Sequence, residues 1–253
     1  MHGIILAAGR GQRMGQSGPT GRPKCLFMLG GRSLLARQLE SLHANGVRRV
    51  DLVVGYEADR IIEHVGKLHV RPDVAFFFNP SYEQGSVVSL LAARESLESG
   101  EDILLMDADV LCHPEILSRL VRTSHSNCFL IDKDFVPGEE PVKIAVREDR
   151  MVDFRKHLAP QLTYDYLGES VGFFRFGADC ARKIAHQCAR FEAEGLSDAP
   201  HEEVLRQVLL DEPEIFAFED VSGLPWIEID FAEDLQRARE IVLPAIQADY
   251  PGY

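Results

Sequence analysis

The chain has 253 residues, 45% of them hydrophobic, so it is long enough to bury a substantial core, and we expect one α/β domain. Its formal charge of −13 argues against nucleic acid as a partner, because phosphate backbones are bound mainly by clusters of Lys and Arg. No apolar run approaches the roughly 20 residues that span a bilayer, and the N-terminus lacks the basic flank of a signal peptide, so we expect a cytoplasmic protein with no membrane partner.

The first half of the sequence alternates apolar, strand-like runs with helix-like stretches. Strands are predicted over residues 3–7, 50–54, 74–78 and 103–106, and helices over residues 34–43, 60–65, 87–97 and 114–121. In the second half, short strands are predicted at residues 142–146, 151–154 and 171–176, and helices near residues 177–194, 202–210 and 232–246. The pattern predicts one domain over residues 1–253, in which a mixed, mainly parallel sheet flanked by helices carries a small antiparallel insertion.

The loop after the first strand is rich in glycine and carries positive charge. It contains the motif Leu6-Ala7-Ala8-Gly9-Arg10-Gly11-Gln12-Arg13, and Pro23-Lys24 follow. Glycines let the backbone turn tightly and point amides at an anion, while Arg13 and Lys24 can supply fixed positive charge to a triphosphate. A flexible surface loop is the alternative interpretation. A Walker A motif is excluded, because no Gly-Lys-Ser/Thr follows at the right distance.

Two groups of carboxylates follow later strands. Asp107 and Asp109 lie one residue apart where the fourth strand opens into a loop, and Glu228 and Asp230 end a strand near the C-terminus. Hard oxygen ligands suit Mg²⁺, which takes only one or two protein carboxylates beside substrate phosphates. The alternatives are a turn-forming Asp in the first group and, in the second, a helix cap in which Asp230 and Glu233 form a capping box. Combined with the glycine-rich loop, the Asp107 and Asp109 pair favours a metal site.

In order and spacing, these motifs resemble the nucleotidyltransferases of the glycosyltransferase-A-type fold. Their signature is Leu-Ala-Ala-Gly-x-Gly-x-Arg-Met followed by Pro-Lys, and the chain adds an Asp-x-Asp and a Glu-Ile-Asp segment in the same order. The resemblance implies a Rossmann-like, open mixed sheet and Mg²⁺ as cofactor. It implies catalytic roles for Arg13 and Lys24 at the triphosphate. It also implies metal ligation by Asp109 and Asp230, with Glu228 as a weaker candidate.

Within that group, the chain is most similar to the choline-phosphate, inositol-phosphate and aminoethylphosphonate cytidylyltransferases. The resemblance implies a nucleotide-binding surface that comprises Leu6, Ala7, Ala8, Gly9, Gly11, Gly55, Tyr56, Asn79, Gly85, Ser86 and Asp107. It implies that residues 138–210 form an acceptor-binding insertion, with Lys143, Lys156, Glu169 and Gly172 at the acceptor. The expected ligands are a nucleoside triphosphate, preferably CTP, and a small phosphorylated or phosphonylated acceptor.

Three alternatives to a cytidylyltransferase stay open. Gln84-Gly85-Ser86 departs from the Asn-bearing segment usual in those enzymes and resembles sugar-1-phosphate nucleotidyltransferases that use UTP, dTTP or GTP. Metal-dependent glycosyltransferases also use Asp-x-Asp, but they do not need Lys24 after a Gly-x-Gly-x-Arg loop. A non-catalytic nucleotide sensor is expected to have lost at least one charged residue of the signature, and all are present.

Overall fold

A nine-stranded mixed sheet forms the centre of the structure, a computed structural model that describes residues 1–11 and 21–253. In chain order the strands are β1 (His2–Ala7), β2 (Met28–Leu29), β3 (Arg32–Ser33), β4 (Arg49–Val54), β5 (Asp73–Phe78), β6 (Ile103–Asp107), β7 (Val110–Cys112), β8 (Cys128–Asp132), β9 (Lys143–Arg147), β10 (Arg150–Arg155), β11 (Tyr166–Phe176), β12 (Ala217–Asp220) and β13 (Trp226–Glu228). The helices are α1 (Leu34–Ala44), α2 (Ala58–Gly66), α3 (Ser86–Ala92), α4 (Arg94–Leu97), α5 (Pro114–Arg122), α6 (Ala178–Ala193), α7 (His201–Asp211), α8 (Ala232–Arg237) and α9 (Leu243–Asp249).

Parallel strands in the order β5-β4-β1-β6 form one half of the sheet. Strand β11 runs antiparallel to β6, and its other edge pairs with β8, which is parallel to β12. The first residues of β11 pair with β9, and β9 forms an antiparallel hairpin with β10. These pairings confirm the predicted mixed sheet and its antiparallel insertion.

Helices cover both faces of the sheet, because successive residues of the central strands point to opposite sides. On β1, Ile4 packs toward the core shared with α3, α4, α6 and α7, and Ile5 packs toward the core shared with α1, α2 and α5. Both side chains are fully buried. Burying such a side chain stabilises the fold by about 1.5–3 kcal/mol, so the two layers hold the strand ends in fixed positions.

Some elements differ from the sequence prediction. The helix predicted over residues 87–97 is broken at Ala93 into α3 and α4, and β11 begins at Tyr166 rather than at residue 171. Strands β8 and β12 were not predicted. Strand β8 is buried at every position, so it lacks the alternating pattern by which a half-buried strand is found.

The C-terminal helical region includes a π-helical turn over Ala238–Val242, between α8 and α9. Pro244 lies at the start of α9 and lacks the amide hydrogen that a continuous α-helix needs at that position. In the described ranges, no helix combines the length and the apolar character needed to cross a bilayer.

Candidate active site

A cleft of about 450 Å³ opens where β1 and β6 end, which is where open α/β sheets bind ligands. Most of the site residues predicted from the sequence lie in its walls. They are Leu6, Ala7, Ala8, Gly9, Gly11, Lys24, Ser86, Asp107, Asp109, Lys156, Glu228 and Asp230. The fold therefore brings the predicted phosphate, metal and acceptor residues into one space. Arg13 lies outside the described residues.

Lys24 lies in a short helical turn, Lys24–Leu26, and connects two parts of the cleft. Its Nζ donates hydrogen bonds to Oδ2 of Asp109 at 3.0 Å and to Oδ1 of Asp230 at 2.6 Å. Burial opposes the charge on this amine, but the two carboxylates outweigh it and raise the pKa of Lys24 above its ordinary value. Lys24 is thus a charged ammonium, held on the floor of the cleft.

The backbone of Gly11 lies against the aliphatic part of Lys24. Its φ is +62°, a conformation that favours glycine, and a Cβ at this position would lie 3.1 Å from Cγ of Lys24. A larger residue would displace the lysine. The glycine of the predicted phosphate loop therefore also positions the ammonium.

A cluster of three carboxylates surrounds this ammonium. Strands β7 and β13 pair antiparallel, and the amide of Ile229 donates to the carbonyl of Asp109 at 3.0 Å. The pairing places one carboxylate oxygen each of Asp109, Glu228 and Asp230 within 4.8 Å of one another. Hard oxygen donors at this spacing fit Mg²⁺, which would take one or two of them beside substrate phosphates.

Asp230 does not cap helix α8. The carboxylate of Asp234 accepts hydrogen bonds from the amides of Asp230 at 3.1 Å and Phe231 at 2.8 Å. Asp234 therefore caps α8, and the alternative capping box of Asp230 with Glu233 is wrong. The side chain of Asp230 faces Lys24 instead.

Several residues predicted to bind nucleotide do not themselves line the cleft formed by the described residues. A Cβ on Gly55 would lie 2.6 Å from Cβ of Tyr82, so the glycine lets Tyr82 pack closely and line the cleft. The amide of Tyr56 donates to the carbonyl of Ala8 at 3.0 Å, which ties the chain after β4 to the glycine-rich loop. These residues shape the wall.

Asn79 is also a structural residue. It is buried, its Nδ2 donates to Oγ of Ser89 at 3.0 Å, and its Oδ1 accepts from the amide of Ser81 at 2.8 Å. Such a side-chain-to-backbone bond fixes the turn that follows β5. Of the pair, it is Ser89 that lines the cleft.

The predicted acceptor residues fall into two groups. Lys143 Nζ donates to the carbonyls of Gly138 at 2.7 Å, Pro141 at 3.3 Å and Lys156 at 2.8 Å, so it holds the chain around Lys156. Lys156 Nζ bonds to Oε2 of Glu140 at 3.0 Å, and Lys156 lies in the cleft wall. Of the two lysines, Lys156 is the one placed to meet a ligand.

Glu169 lines a second cavity of about 370 Å³, which shares Glu228 and Asp230 with the cleft. Burial, followed by the charge of Asp132, raises the pKa of Glu169 to about 7. Gly172 lines neither space among the described residues. It lies against Asp107, with a φ of +78°, and a Cβ there would be 2.6 Å from Oδ2 of Asp107. The carboxylate cluster thus stands between two cavities.

A family model matches the part of the chain that contains most of this cleft. Residues 3–169, more than half of the chain, match the model of the MobA-like NTP transferase domain. The chain belongs to this family.

Two curated relatives of this NTP transferase are named for transferase or CMP-phosphonate synthase activities. A bifunctional IPC transferase and DIPP synthase of Rubrobacter xylanophilus is 31% identical over 243 residues, 94% of this chain and 51% of the relative. A CMP-5'-(3-aminopropyl)phosphonate synthase of Streptomyces rubellomurinus is 30% identical over 152 residues, 60% of this chain and 24% of the relative. The chain spans about half the length of the first relative and about a quarter of the second.

A solved structure shares the whole architecture of this NTP transferase. The inositol-1-phosphate CTP transferase from T. maritima superposes with a TM-score of 0.75 at 25% identity. The match covers 97% of this chain and 96% of that one. The predicted resemblance to nucleotidyltransferases of the glycosyltransferase-A type is confirmed.

Sequence reasoning missed part of the cleft of this NTP transferase. The segment that leads into α7 contributes Pro200, His201 and Glu202 to the wall. Burial, followed by the charges of Glu202 and Asp109, raises the pKa of Asp107. The only local signal was a Pro-His-Glu sequence at a helix start, which is common without any function.

Gly85 packs against residues 197–199, which precede the Pro200-His201-Glu202 part of the cleft wall. Its amide donates to the carbonyl of Ser197 at 3.0 Å, and a Cβ on Gly85 would lie 2.1 Å from the carbonyl oxygen of Ala199. We expect Gly85→Ala to lower the free energy of unfolding by about 1–3 kcal/mol, because the 197–199 segment must move away. Urea denaturation measures the change.

The matched control is Gly66→Ala, at the end of α2, where a Cβ would meet nothing within 4 Å. This variant is expected to be neutral or stabilising by up to about 1 kcal/mol. Equal stability of the two variants would show that the segment does not pack on Gly85.

Proposed function

We propose that this protein is a cytidylyltransferase that transfers CMP from CTP to a small phosphorylated or phosphonylated acceptor and releases pyrophosphate. The observation that carries the proposal is Lys24, which bonds to Asp109 and Asp230 beside two cavities that have Glu228 and Asp230 in common. Family membership supports nucleotidyl transfer. The names of the relatives and of the solved CTP transferase support CTP and an acceptor of this class.

Asp109 and Asp230, with Glu228, are the residues that would hold Mg²⁺. When bound, the ion would neutralise phosphate charge beside the reacting phosphorus. The three clustered carboxylates alone would repel a triphosphate. Binding of a triphosphate therefore requires cations that neutralise the negative charge of the cluster. Lys24 is the described cation in contact with this cluster.

The acceptor oxygen would attack the α-phosphorus of the nucleotide, with pyrophosphate leaving in line. Such a reaction depends mainly on positioning and on charge neutralisation, so no Ser or His nucleophile is required. Lys24 would stabilise the negative charge that develops on the departing pyrophosphate. Arg13 is proposed as a second cation for the triphosphate, on the basis of its place in the sequence motif.

Residues 138–210 are proposed as the acceptor-binding insertion of a single domain over residues 1–253. The β9–β10 hairpin supports this, because it ends at Arg155 and delivers Lys156 to the cleft wall. Lys156 would hold the acceptor phosphate, and Lys143 would keep the neighbouring chain in place. A cytoplasmic location and the lack of nucleic-acid and membrane partners stay predictions from the sequence.

The alternative function, a sugar-1-phosphate nucleotidyltransferase, differs from the proposed one in the base of the nucleotide that it uses. Gln84 and Ser86 both line the cleft, so the departure from the usual Asn-bearing segment lies where a nucleotide would bind. The expected ligand is nevertheless CTP. A comparison of nucleotides therefore decides between the two functions.

Pyrophosphate release tests the proposed reaction. We expect release only when CTP, Mg²⁺ and a phosphorylated or phosphonylated acceptor are all present, for example phosphocholine, inositol phosphate or aminoethylphosphonate. Choline and inositol without phosphate are the matched controls and should give none. Consumption of a nucleotide-sugar without pyrophosphate release would instead indicate a glycosyltransferase, and no turnover with any pair would favour a nucleotide sensor.

A further inference from the structure

His201 is held in the cleft wall by two contacts to one hydroxyl group. It is the first residue of α7, and only 3% of it is exposed. Its amide donates to Oγ of Ser86 at 2.8 Å, and its Nδ1 lies 3.0 Å from the same oxygen. Oε2 of Glu202 lies 3.2 Å from the same Nδ1, so Ser86 and Glu202 together set the orientation of the imidazole.

The other ring nitrogen is left without a partner. Within the described residues, Nε2 of His201 makes no hydrogen bond, although the atom is buried. Oδ1 of Asp107 lies 3.8 Å away, which is too long for a hydrogen bond. Buried polar atoms in native proteins are nearly always paired, so an unpaired one in the wall of a cleft points to a ligand.

The chemistry of the two groups restricts that ligand. A carboxyl oxygen of Asp107 accepts a hydrogen bond, whereas Nε2 of a neutral imidazole donates or accepts according to its tautomer. A hydroxyl both donates and accepts, so it can bond to Asp107 and to either tautomer of His201. A phosphate is disfavoured, because Asp107 and the adjacent Glu202 are both acidic.

Gly172 limits the movement of Asp107. Its backbone lies so close behind the carboxylate that a Cβ would be 2.6 Å from Oδ2. The backbone of Gly172 therefore restricts the carboxylate on that side. The pair forms a preorganised site for one hydroxyl group.

We propose that His201 Nε2 and Asp107 together bind a ribose hydroxyl of the nucleotide. This inference rests on the proposed nucleotidyl transfer. Ribose is favoured over a polyol acceptor because His201 bonds to Ser86, which is proposed to bind the nucleotide on the basis of the family resemblance. Of the proposed acceptor residues, Glu169 lines the second cavity, and Lys156 lines the cleft that also contains His201.

Deoxynucleotides test the proposal directly. CTP, 2'-deoxy-CTP and 3'-deoxy-CTP are titrated into the protein by calorimetry with Mg²⁺ and without acceptor. The wild type is expected to bind CTP at least about fivefold tighter than one of the two deoxynucleotides, as expected for loss of a hydrogen bond to a buried group. In His201→Asn, the side-chain amide can replace Nδ1, but no atom replaces Nε2. The ratio of the affinities of this variant for CTP and for the deoxynucleotides should therefore fall to within about twofold.

Two further variants separate this role from a structural one. His201→Gln places an amide nitrogen near the position of Nε2 and should restore part of the ratio. Val204→Ala removes a fully buried side chain from the same helix, outside the cleft, and should lower stability without changing the ratio.

Equal binding of all three nucleotides by the wild type would overturn the proposal, as would an unchanged ratio in folded His201→Asn. If His201→Asn changed only the KM for inositol phosphate, the hydroxyl bound by His201 would belong to the acceptor. That result would overturn the ribose assignment. Failure of the wild type to bind CTP at all would contradict the proposed function itself, which is a different result.

Discussion

Replacing Lys24 with alanine is expected to reduce turnover at least about a hundredfold while leaving the fold intact. In the structure, Nζ of Lys24 is within hydrogen-bond distance of Asp109 and Asp230 and is kept charged by them. A preorganised charge of this kind contributes most where negative charge develops in the transition state. The loss should therefore appear mainly in kcat, measured as pyrophosphate release at saturating nucleotide.

The matched control is Lys67→Ala, which removes an exposed lysine paired with Glu63 on α2. Exposed pairs of this type contribute little to stability, so this variant should retain turnover. Near-normal turnover in a folded Lys24→Ala variant would remove Lys24 from the mechanism. A circular dichroism spectrum and a thermal melt establish that the variant is folded.

Asp109→Asn and Asp230→Asn are each expected to raise the Mg²⁺ concentration for half-maximal turnover by at least about tenfold, because each removes a charged ligand from an ion that takes few protein carboxylates. Both side chains belong to the three-carboxylate cluster. Asp107→Asn is the matched comparison, since Asp107 lies outside that cluster and faces His201 and Gly172. Its effect on Mg²⁺ dependence should be smaller.

Turnover measured across a series of Mg²⁺ concentrations checks the order of these effects. If Asp107→Asn shifted the Mg²⁺ dependence more than Asp109→Asn did, the assignment within the Asp-x-Asp segment would be reversed. If none of the three variants shifted it, the cluster would not be the metal site.

Local patterns predicted much of this fold, because the main strands and helices are determined by the spacing of apolar residues. The glycine-rich loop and the Asp-x-Asp segment were found at strand ends for the same reason. The meeting of Lys24 and Asp230, 206 residues apart, is not encoded in any local pattern. Only the resemblance to a known family implied that both residues belong to one site.

Other features of the site depend on contacts that the sequence does not display. Lys143 was predicted to bind the acceptor, but its ammonium is engaged by carbonyls of a loop that folds over it. His201 was missed, because its burial follows from packing of α7 on the turn at Ser86, 115 residues away. Gly55 and Asn79 were expected at the nucleotide, whereas the structure places them behind the wall that Tyr82 and Ser89 form.

Calorimetric titration of nucleotides in the presence of Mg²⁺ tests the proposed cytidylyl transfer most directly, because it requires no knowledge of the acceptor. CTP is expected to bind at least about tenfold tighter than UTP, since a site that pairs with the cytosine amino group leaves a buried polar group unmatched against uracil, at a cost of about 1–3 kcal/mol. Binding of UTP, dTTP or GTP as tightly as CTP would contradict the cytidylyltransferase proposal, while membership of the NTP transferase family would stand.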